Sequence, residues 1–492
     1  MSAPVSNAHH RVFQSQPDEF TNASPRIHGT LPAELRGTVL RNGPGLLASG
    51  SDRLAFLDGH GYVAGVTFRD GTASCRGRHV RTPEFRAEQA AGRLLVRRVF
   101  TNLPSRWANL FKLPKGDSGN HDVYVFGGMI LASSDQGHHA LDAGTLETRG
   151  PERYNGIHAG KRILSPMPRV DPATGGIVAY VIDPGGPKPD KVTFFEADTR
   201  FQVTSRAAPH VLSSSPMLVH DLGFTPRYYV ATQAAARLGL GAALWGKKTL
   251  VECFDWKKGF PAELIVVSRP DGARSFRVPI PNTTVAFHVI NAHDDGAHLV
   301  VYVLAYAGKP GFELFAPGAF EAARPGDGKT PPPRILRLVV DPVAQRLVEH
   351  RVVGDVAGDL PEIRADRVGQ PNRLVWLGAP AVGSQAPDVN AFPWFGAIVG
   401  VNLESGAVAR WDAGPTTHVS QAAFAPRPGG TEEDDGWLLV WAEEGTAGLC
   451  EVLVFDAKAL AAGPIARVEL GVHLPAASHI TWASGLELQR GA

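Results

Sequence analysis

The chain has 492 residues, of which 43% are hydrophobic and 20% charged, a balance typical of a globular protein with an extensive core. Its 49 basic and 48 acidic residues leave a formal charge of +1, which argues against nucleic acid as a partner because phosphate binding needs a concentrated basic surface. Three widely spaced cysteines form no disulfide framework and indicate a reducing compartment. The N-terminal residues lack the apolar segment of a secretory signal, and no apolar run reaches the roughly 20 residues that span a bilayer, so we expect a cytoplasmic protein.

Glycine and proline divide the sequence into many short apolar segments. Most of these segments have roughly four to eight residues, are rich in Val, Ile, Tyr and Phe, and are bounded by turn formers, which is typical of β-strands. Examples in chain order are GTVLRNG, GYVAGVTF, DVYVFGGMILAS, KVTFFEA, HLVVYVLAYA and WLLVWAE. This spacing predicts an all-β sandwich, barrel or propeller, and a propeller of about seven blades fits the length. We expect one propeller domain over residues 27–492, preceded by an N-terminal extension over residues 1–26.

Helical periodicity is confined to two segments, LPSRWANLFKLP and QAAARLGLGAALWGKK. In the second, over residues 236–248, four apolar residues are flanked by basic ones; the apolar residues are Leu238, Leu240, Leu244 and Trp245, and the basic ones are Arg237, Lys247 and Lys248. This pattern predicts a shallow contact with a membrane surface, a lid over an apolar entrance, or an ordinary surface helix or loop that packs on the propeller.

Three of the eighteen histidines follow apolar stretches at the ends of predicted strands. They are His220 in PMLVHDLGFT, His288 in VAFHVINAH and His479 in HLPAASHITW. A propeller axis collects such positions from separate blades, so distant histidines can meet around one ion. Imidazole is a usual ligand of iron, zinc, copper and nickel.

Several blocks, in order along the chain, resemble the carotenoid cleavage oxygenases. They are RGTVLRNGPG at 36–45, FLDGHGYV at 56–63, PMPRVDPATGG at 166–176, VHDLGFTPRYYV at 219–230 and FHVINAHDDG at 287–296, followed by the segment that leads to His479. The resemblance implies a seven-bladed β-propeller with loops and short helices capping one face. It also implies a non-haem Fe(II), held on the axis by four histidines beside an apolar tunnel, that uses O₂ to cleave a C=C bond.

The sequence departs from the family pattern at the first ligand. The family has a His-Pro pair before the Val-Asp-Pro turn, and here the sequence is SPMPRVDP, so Met167 stands where a histidine is expected. A thioether is a soft ligand that suits copper(I) better than iron(II). We therefore expect a three-histidine centre of His220, His288 and His479, with Met167 lining the vacant ligand position.

The family also places glutamates behind three of the ligands, where they accept the outer imidazole N–H. Alignment puts Ser134, Asp359 and Gln421 at these three positions. Loss of one such partner typically weakens metal affinity or activity about 10- to 100-fold. Asp359 and Gln421 can still accept a hydrogen bond.

Two functions remain open from the sequence. The first is an oxygenase with an altered centre, holding Fe(II) or alternatively copper, that cleaves a C=C bond of an apolar or phenolic alkene such as a carotenoid, apocarotenoid or stilbene. The second is a metal-poor, inactive paralogue that binds an apolar ligand in the propeller tunnel. Chemistry unrelated to cleavage, such as isomerisation, is a third reading, with or without metal.

Overall fold

The architecture is that of a computed structural model. It describes residues 13–159, 162–185, 189–212, 218–256, 261–309, 316, 333–382, 395–414, 416–444, 448–477 and 479–490. Residues 1–12 of the expected N-terminal extension therefore lie outside the described part of the chain.

The described residues lie mostly in short strands, numbered in chain order. The first group is β1 Phe20–Asn22, β2 Arg26–Gly29, β3 Gly37–Leu46, β4 Ala48–Ser49, β5 Asp52–Arg53, β6 His60–Arg69, β7 Thr72–His79, β8 Val123–Phe126, β9 Met129–Ser134, β10 Gly137–Leu141 and β11 Thr148–Glu152. The second is β12 Ile163–Leu164, β13 Arg169–Val170, β14 Ile177–Asp183, β15 Lys191–Ala197, β16 Val203–Arg206, β17 His210–Val211, β18 Leu222–Phe224, β19 Tyr228–Gln233, β20 Arg237–Leu238, β21 Phe254–Asp255, β22 Glu263–Ser268 and β23 Ser275–Pro279. The third is β24 Val285–Asp295, β25 His298–Tyr306, β26 Arg334–Asp341, β27 Arg346–Val352, β28 Asp359–Glu362, β29 Leu374–Ala379, β30 Ala397–Asn402, β31 Val408–Asp412, β32 Thr417–Pro426, β33 Gly436–Glu444, β34 Leu449–Asp456, β35 Ala466–Glu469 and β36 His479–Ser484.

Seven of the sheets formed by these strands have four to six strands each, and they are the blades of a propeller. Blade 1 has the order β1-β7-β6-β3-β36, blade 2 consists of β8 to β11, and blade 3 of β12 to β17. Blade 4 contains β18, β19, β22 and β23, blade 5 consists of β24 to β27, and blade 6 of β28 to β31. Blade 7 has the order β2-β35-β34-β33-β32. The prediction of a seven-bladed all-β propeller is confirmed.

The two ends of the chain close the ring of blades. The C-terminal strand β36 pairs with β3 in blade 1, and the N-terminal strand β2 pairs with β35 in blade 7. Strand β1, from the region expected to be an extension, pairs with the outer strand β7 of blade 1. Part of that extension is thus integrated into a blade.

The apolar core lies between neighbouring blades. One buried cluster joins Ile290 and Val300 of blade 5 to Val375, Leu377 and other residues of blade 6. Strands inside the blades, such as β14 and β25, are buried on both faces and are almost continuously apolar, whereas outer strands such as β16 and β27 are largely exposed.

Helices are few in the described residues. The α-helices are α1 Pro83–Ala91, α2 Arg106–Asn109 and α3 Leu240–Leu244, and the 3-10 helices are Phe56–Asp58, Val251–Cys253, Ala365–Arg367 and Ala457–Ala462. Helix α1 begins at Thr82, whose hydroxyl accepts a hydrogen bond from the Phe85 amide. The two segments with helical periodicity contain α2 and α3, but most of each is not helical, and β20 lies in the second.

The innermost strands of successive blades contact one another around the axis. Contacts join β8 to β36, β18 to β24, β24 to β28, β28 to β32 and β32 to β36. The start of each of these strands therefore faces a common centre.

Candidate metal centre

Four imidazole rings converge at the centre of the propeller. The ring centroids of His121 and His220 are 4.8 Å apart, and those of His121 and His479 are 5.0 Å apart. His288 completes the group, with its centroid 5.4 Å from that of His220 and 5.5 Å from that of His479. One nitrogen from each of His121, His220 and His479 lies within 4.8 Å of the others. The structure thus brings together the three histidines expected from the sequence and adds His121.

Each of these side chains lies in or just before the innermost strand of a different blade. His121 and His220 lie two residues before β8 and β18, and His479 is the first residue of β36. His288 lies within β24, where the register with β25 shifts between Ala286 and Val289. A bulge of this kind changes the direction of a side chain, and here it coincides with the residue that faces the axis.

His121 and His220 share a local structure that places both rings. Each is followed by an aspartate, Asp122 or Asp221, whose carboxylate accepts a hydrogen bond from the next backbone amide at 2.7 Å. The His-Asp pair then leads directly into a buried inner strand in both blades. This repeated pattern, His-Asp before a short apolar strand, is the sequence signal that would have identified His121.

Burial keeps most of these rings neutral. Burial and the neighbouring imidazoles lower the pKa of His121 to about 3 and hold those of His220 and His479 well below the ordinary value. Among the described residues, the buried Nε2 atoms of His121 and His288 have no hydrogen-bond partner. Converging imidazoles, of which His121 and His288 each leave one nitrogen without a protein partner, are a donor set that fits a divalent transition metal.

His288 is held from behind by Asp359. The His288 Nδ1–H donates to Oδ1 of Asp359 at 2.5 Å, and the Tyr306 hydroxyl donates to Oδ2 at 2.5 Å. Burial lowers the pKa of His288, but the Asp359 carboxylate outweighs this effect and raises it. The contact leaves Nε2 of His288 free to face the centre.

His479 is held by an amide instead of a carboxylate. Its Nδ1–H donates to Oε1 of Gln421 at 3.0 Å, and the Gln421 amide nitrogen donates to the Pro361 carbonyl at 2.9 Å. Because Gln421 is anchored at its other end, its orientation is defined. The structure therefore places Asp359 behind His288 and Gln421 behind His479.

Ser134 has other contacts. Its hydroxyl donates to Oδ1 of Asp117 at 2.7 Å, and Oδ2 of Asp117 accepts a hydrogen bond from Nε2 of His139 at 2.9 Å. No hydrogen bond joins Ser134 to His121, His220 or another of the four rings in the described part of the chain.

Met167 lies in blade 3, between β12 and β13, and is 8% exposed. Blades 1, 2, 4 and 5 each contribute one histidine to the centre, whereas the described residues of blade 3, which lies between the His121 and His220 blades, contribute none. The neighbouring Pro166 carbonyl accepts a hydrogen bond from Ser133 of blade 2, so the Met167 segment packs against the His121 blade.

A cavity of about 160 Å³ borders the centre. His121 and His220 form part of its wall. Seven apolar residues, six polar residues and one glycine form the remainder. The lining residues are Leu57, Asp58, Val99, Phe100, Gly116, Ser118, Asn120, His121, Ser134, Asp135, Gln136, Leu218, His220, Val251, Phe254 and Phe287.

Comparisons with known proteins agree with this architecture. The model of the family described as RPE65, retinal pigment epithelial membrane protein, matches residues 13–484. The apocarotenoid-15,15'-oxygenase of Synechocystis sp. is 30% identical over 96% of this chain and 95% of its own length. The isoeugenol monooxygenase of Pseudomonas putida is 24% identical, with coverage of 93% of this chain and 94% of the relative. The crystal structure of cobalt-substituted Synechocystis ACO superposes with a TM-score of 0.88 at 28% identity, covering 97% of this chain and 99% of that one.

None of the helices in the described residues has the length and apolar character needed to cross a bilayer.

Proposed function

The chain belongs to the RPE65/carotenoid cleavage oxygenase family, and from that premise we propose that it is a metal-dependent oxygenase that cleaves a C=C bond of an apolar or phenolic alkene. Relatives named as apocarotenoid, lignostilbene and isoeugenol oxygenases support this reaction class. The observation that carries the proposal is the convergence of four imidazoles, with His288 and His479 buried and His121 and His220 partly exposed, next to a cavity with mostly apolar walls.

We propose iron(II) as the ion, held by His220, His288, His479 and, in addition, His121. The His121 ring supplies a fourth nitrogen, so Met167 need not act as a ligand. Copper is the alternative ion. An iron(II) bound by neutral imidazoles would supply the activation of O₂ that alkene cleavage requires.

The protein contributes position and a dry environment. Asp359 and Gln421 fix two of the rings, which keeps their inner nitrogens directed at one point. Phe100, Leu218 and Phe287 line the adjoining cavity, where they can hold an apolar substrate beside the imidazoles and exclude water.

The first test is metal analysis of the protein purified from iron-supplemented cells, followed by assays for carbonyl products under O₂ and under argon. We expect near-stoichiometric iron and products that depend on O₂. Metal content near zero, together with saturable binding of a polyene and no product, would instead support the metal-poor binding protein.

We further propose that the protein contacts membranes through an aromatic patch, defined as Trp107, Phe111, Leu113 and Trp245. Their side chains are 75%, 67%, 46% and 54% exposed. The Phe111 amide donates to the Leu244 carbonyl at 2.7 Å, and the Phe111 and Trp245 ring centroids are 5.7 Å apart, so the two segments form one surface.

The surroundings of the aromatic patch favour a membrane over a protein partner. Exposed lysines flank the apolar side chains in both segments, at Lys112, Lys115, Lys247 and Lys248. Aromatic residues with adjacent basic residues are typical of elements that lie at the surface of anionic bilayers. The second segment continues directly to Val251 in the cavity wall, so an apolar ligand would enter from the lipid side.

A further inference from the structure

A hairpin turn brings an acidic side chain to the cavity beside the imidazoles. Asp135 and Gln136 form the turn between β9 and β10, and both line this cavity together with His121 and His220. The turn is held by its backbone. The Asp135 carbonyl accepts a hydrogen bond from the Leu164 amide at 3.2 Å, and the Gln136 amide donates to the Ser134 hydroxyl at 3.2 Å.

The Asp135 carboxyl has no protein partner among the described residues: neither a hydrogen-bond donor nor an ion pair engages it there. The other acidic residue of the cavity wall, Asp58, already has a partner, since its Oδ2 accepts a hydrogen bond from the Phe100 amide at 2.9 Å. The side chain of Asn120 also has partners, because its amide nitrogen donates to the Leu57 and Gly59 carbonyls. Asp135 is therefore the acidic residue of the wall that is available to a ligand.

The environment of the Asp135 carboxyl disfavours its charged form. Burial, with a smaller contribution from the nearby Asp117 carboxylate, raises the pKa of Asp135 to about 7. A half-buried polar group without a partner costs free energy, and a hydrogen bond from a ligand would recover it.

The size and walls of the cavity limit the ligand. Cavities of about 150 Å³ hold a single benzene ring, and this one has a volume of about 160 Å³. Phe100, Leu218 and Phe287 offer apolar contacts to such a ring. A cationic donor would be disfavoured against these walls because of its desolvation cost, whereas a neutral hydroxyl would not.

We propose that Asp135 is a specificity-determining residue that accepts a hydrogen bond from the hydroxyl of a phenolic alkene, whose aryl ring occupies the cavity. This proposal rests on the proposed function and narrows its substrate class. The hydroxyl points to Asp135, and the alkene carried by the ring extends to the four imidazoles.

The test compares binding of two probes, isoeugenol and its analogue with hydrogen in place of the phenolic hydroxyl. Affinities are measured by calorimetry on the purified protein under argon, so the result does not depend on turnover. We expect wild type to prefer the phenol by about 10- to 100-fold. Asp135→Leu should weaken phenol binding by that factor and leave binding of the analogue within about twofold, while Asp135→Asn, which keeps an acceptor oxygen, should retain part of the preference.

Asp355→Leu is the matched control, because it makes the same replacement at an aspartate whose side chain is 99% exposed and lies outside the cavity wall, and it should retain the preference for the phenol. Equal weakening of both probes by Asp135→Leu would overturn the proposal, as would a wild-type protein that does not distinguish them or binds neither. Metal content and circular dichroism of each variant identify any that fail to fold, and Asp135→Asn then carries the test. If the preference is found but no carbonyl product forms under O₂, the assignment of Asp135 stands and the proposed oxygenase function fails.

Discussion

The His121 and His220 rings lie 4.8 Å apart and almost perpendicular, at 89°, although they come from different blades. This pairing means that His121 occupies the centre that the sequence alone assigned to three histidines and a methionine. It also provides the most direct test of which side chains hold the ion.

His121→Ala should reduce metal content as strongly as His288→Ala, because each removes one neutral nitrogen donor from the same centre. Met167→Leu should leave metal content unchanged, since Leu preserves the apolar volume and removes only the thioether. The molar ratio of metal to protein, measured by mass spectrometry after purification, shows whether His121 or the Met167 thioether is the fourth ligand. Retention of full metal by His121→Ala, combined with loss in Met167→Leu, would show that the thioether is the fourth ligand.

The fold and most of the centre were predictable from sequence because both depend on local patterns. Short strands bounded by glycine and proline indicate a propeller, and His220, His288 and His479 each follow an apolar stretch at the entrance to an inner strand. The same alignment placed Asp359 and Gln421 where they contact His288 and His479.

His121 was not predicted because the sequence around it does not show that its ring reaches the propeller axis. A single histidine before a strand looks like any other surface or core histidine, and the family pattern directs attention to Met167. For Ser134, the alignment indicated a position behind a ligand but not the contacts of its side chain. In the structure Ser134 lines the cavity beside Asp135, and its hydroxyl donates to Asp117 and to none of the four rings.

Asp359→Asn should weaken metal affinity about 10- to 100-fold, because the amide is a poorer acceptor for the N–H of His288 and no longer balances its charge. Affinity is measured by competition with a chromophoric chelator. Ser134→Ala is the control and should stay within about twofold of wild type, since Ser134 contacts Asp117 and none of the rings. The opposite ranking, with Ser134→Ala more damaging, would contradict the assignment of Asp359.

Replacing Trp107, Phe111 and Trp245 together with serine should lower binding to vesicles of mixed phosphatidylcholine and phosphatidylserine by at least about tenfold. These side chains are exposed, so their removal should leave stability unchanged. Co-sedimentation measures the bound fraction. Val343→Ser, at a valine that is 91% exposed elsewhere on the surface, is the control for a general loss of apolar area. Equal binding by the triple variant and wild type would exclude the aromatic patch as a membrane contact.

Glu362 should make the stability of the metal-free protein depend on pH. Burial raises its pKa to about 8 from an ordinary value of 4.5, and the Phe424 amide donates to Oε1 at 3.0 Å. The folded state therefore binds this proton more tightly than the unfolded state. The resulting stabilisation is complete below pH 4.5 and is lost as the pH rises towards 8, by at most about 1.4 kcal/mol per pH unit.

Glu362→Gln keeps an oxygen that accepts the Phe424 amide hydrogen bond but does not ionise. The variant should therefore lack this decline, and its stability relative to wild type should increase as the pH rises from 4.5 to about 8. Urea unfolding in the presence of a chelator, at several pH values, measures the difference and removes the pH dependence of metal binding. Glu404→Gln, at an exposed glutamate, should follow the wild-type curve. Parallel curves for wild type and Glu362→Gln would mean that the carboxyl is ionised to the same extent in the folded and unfolded states, and that burial next to the axis does not keep it protonated.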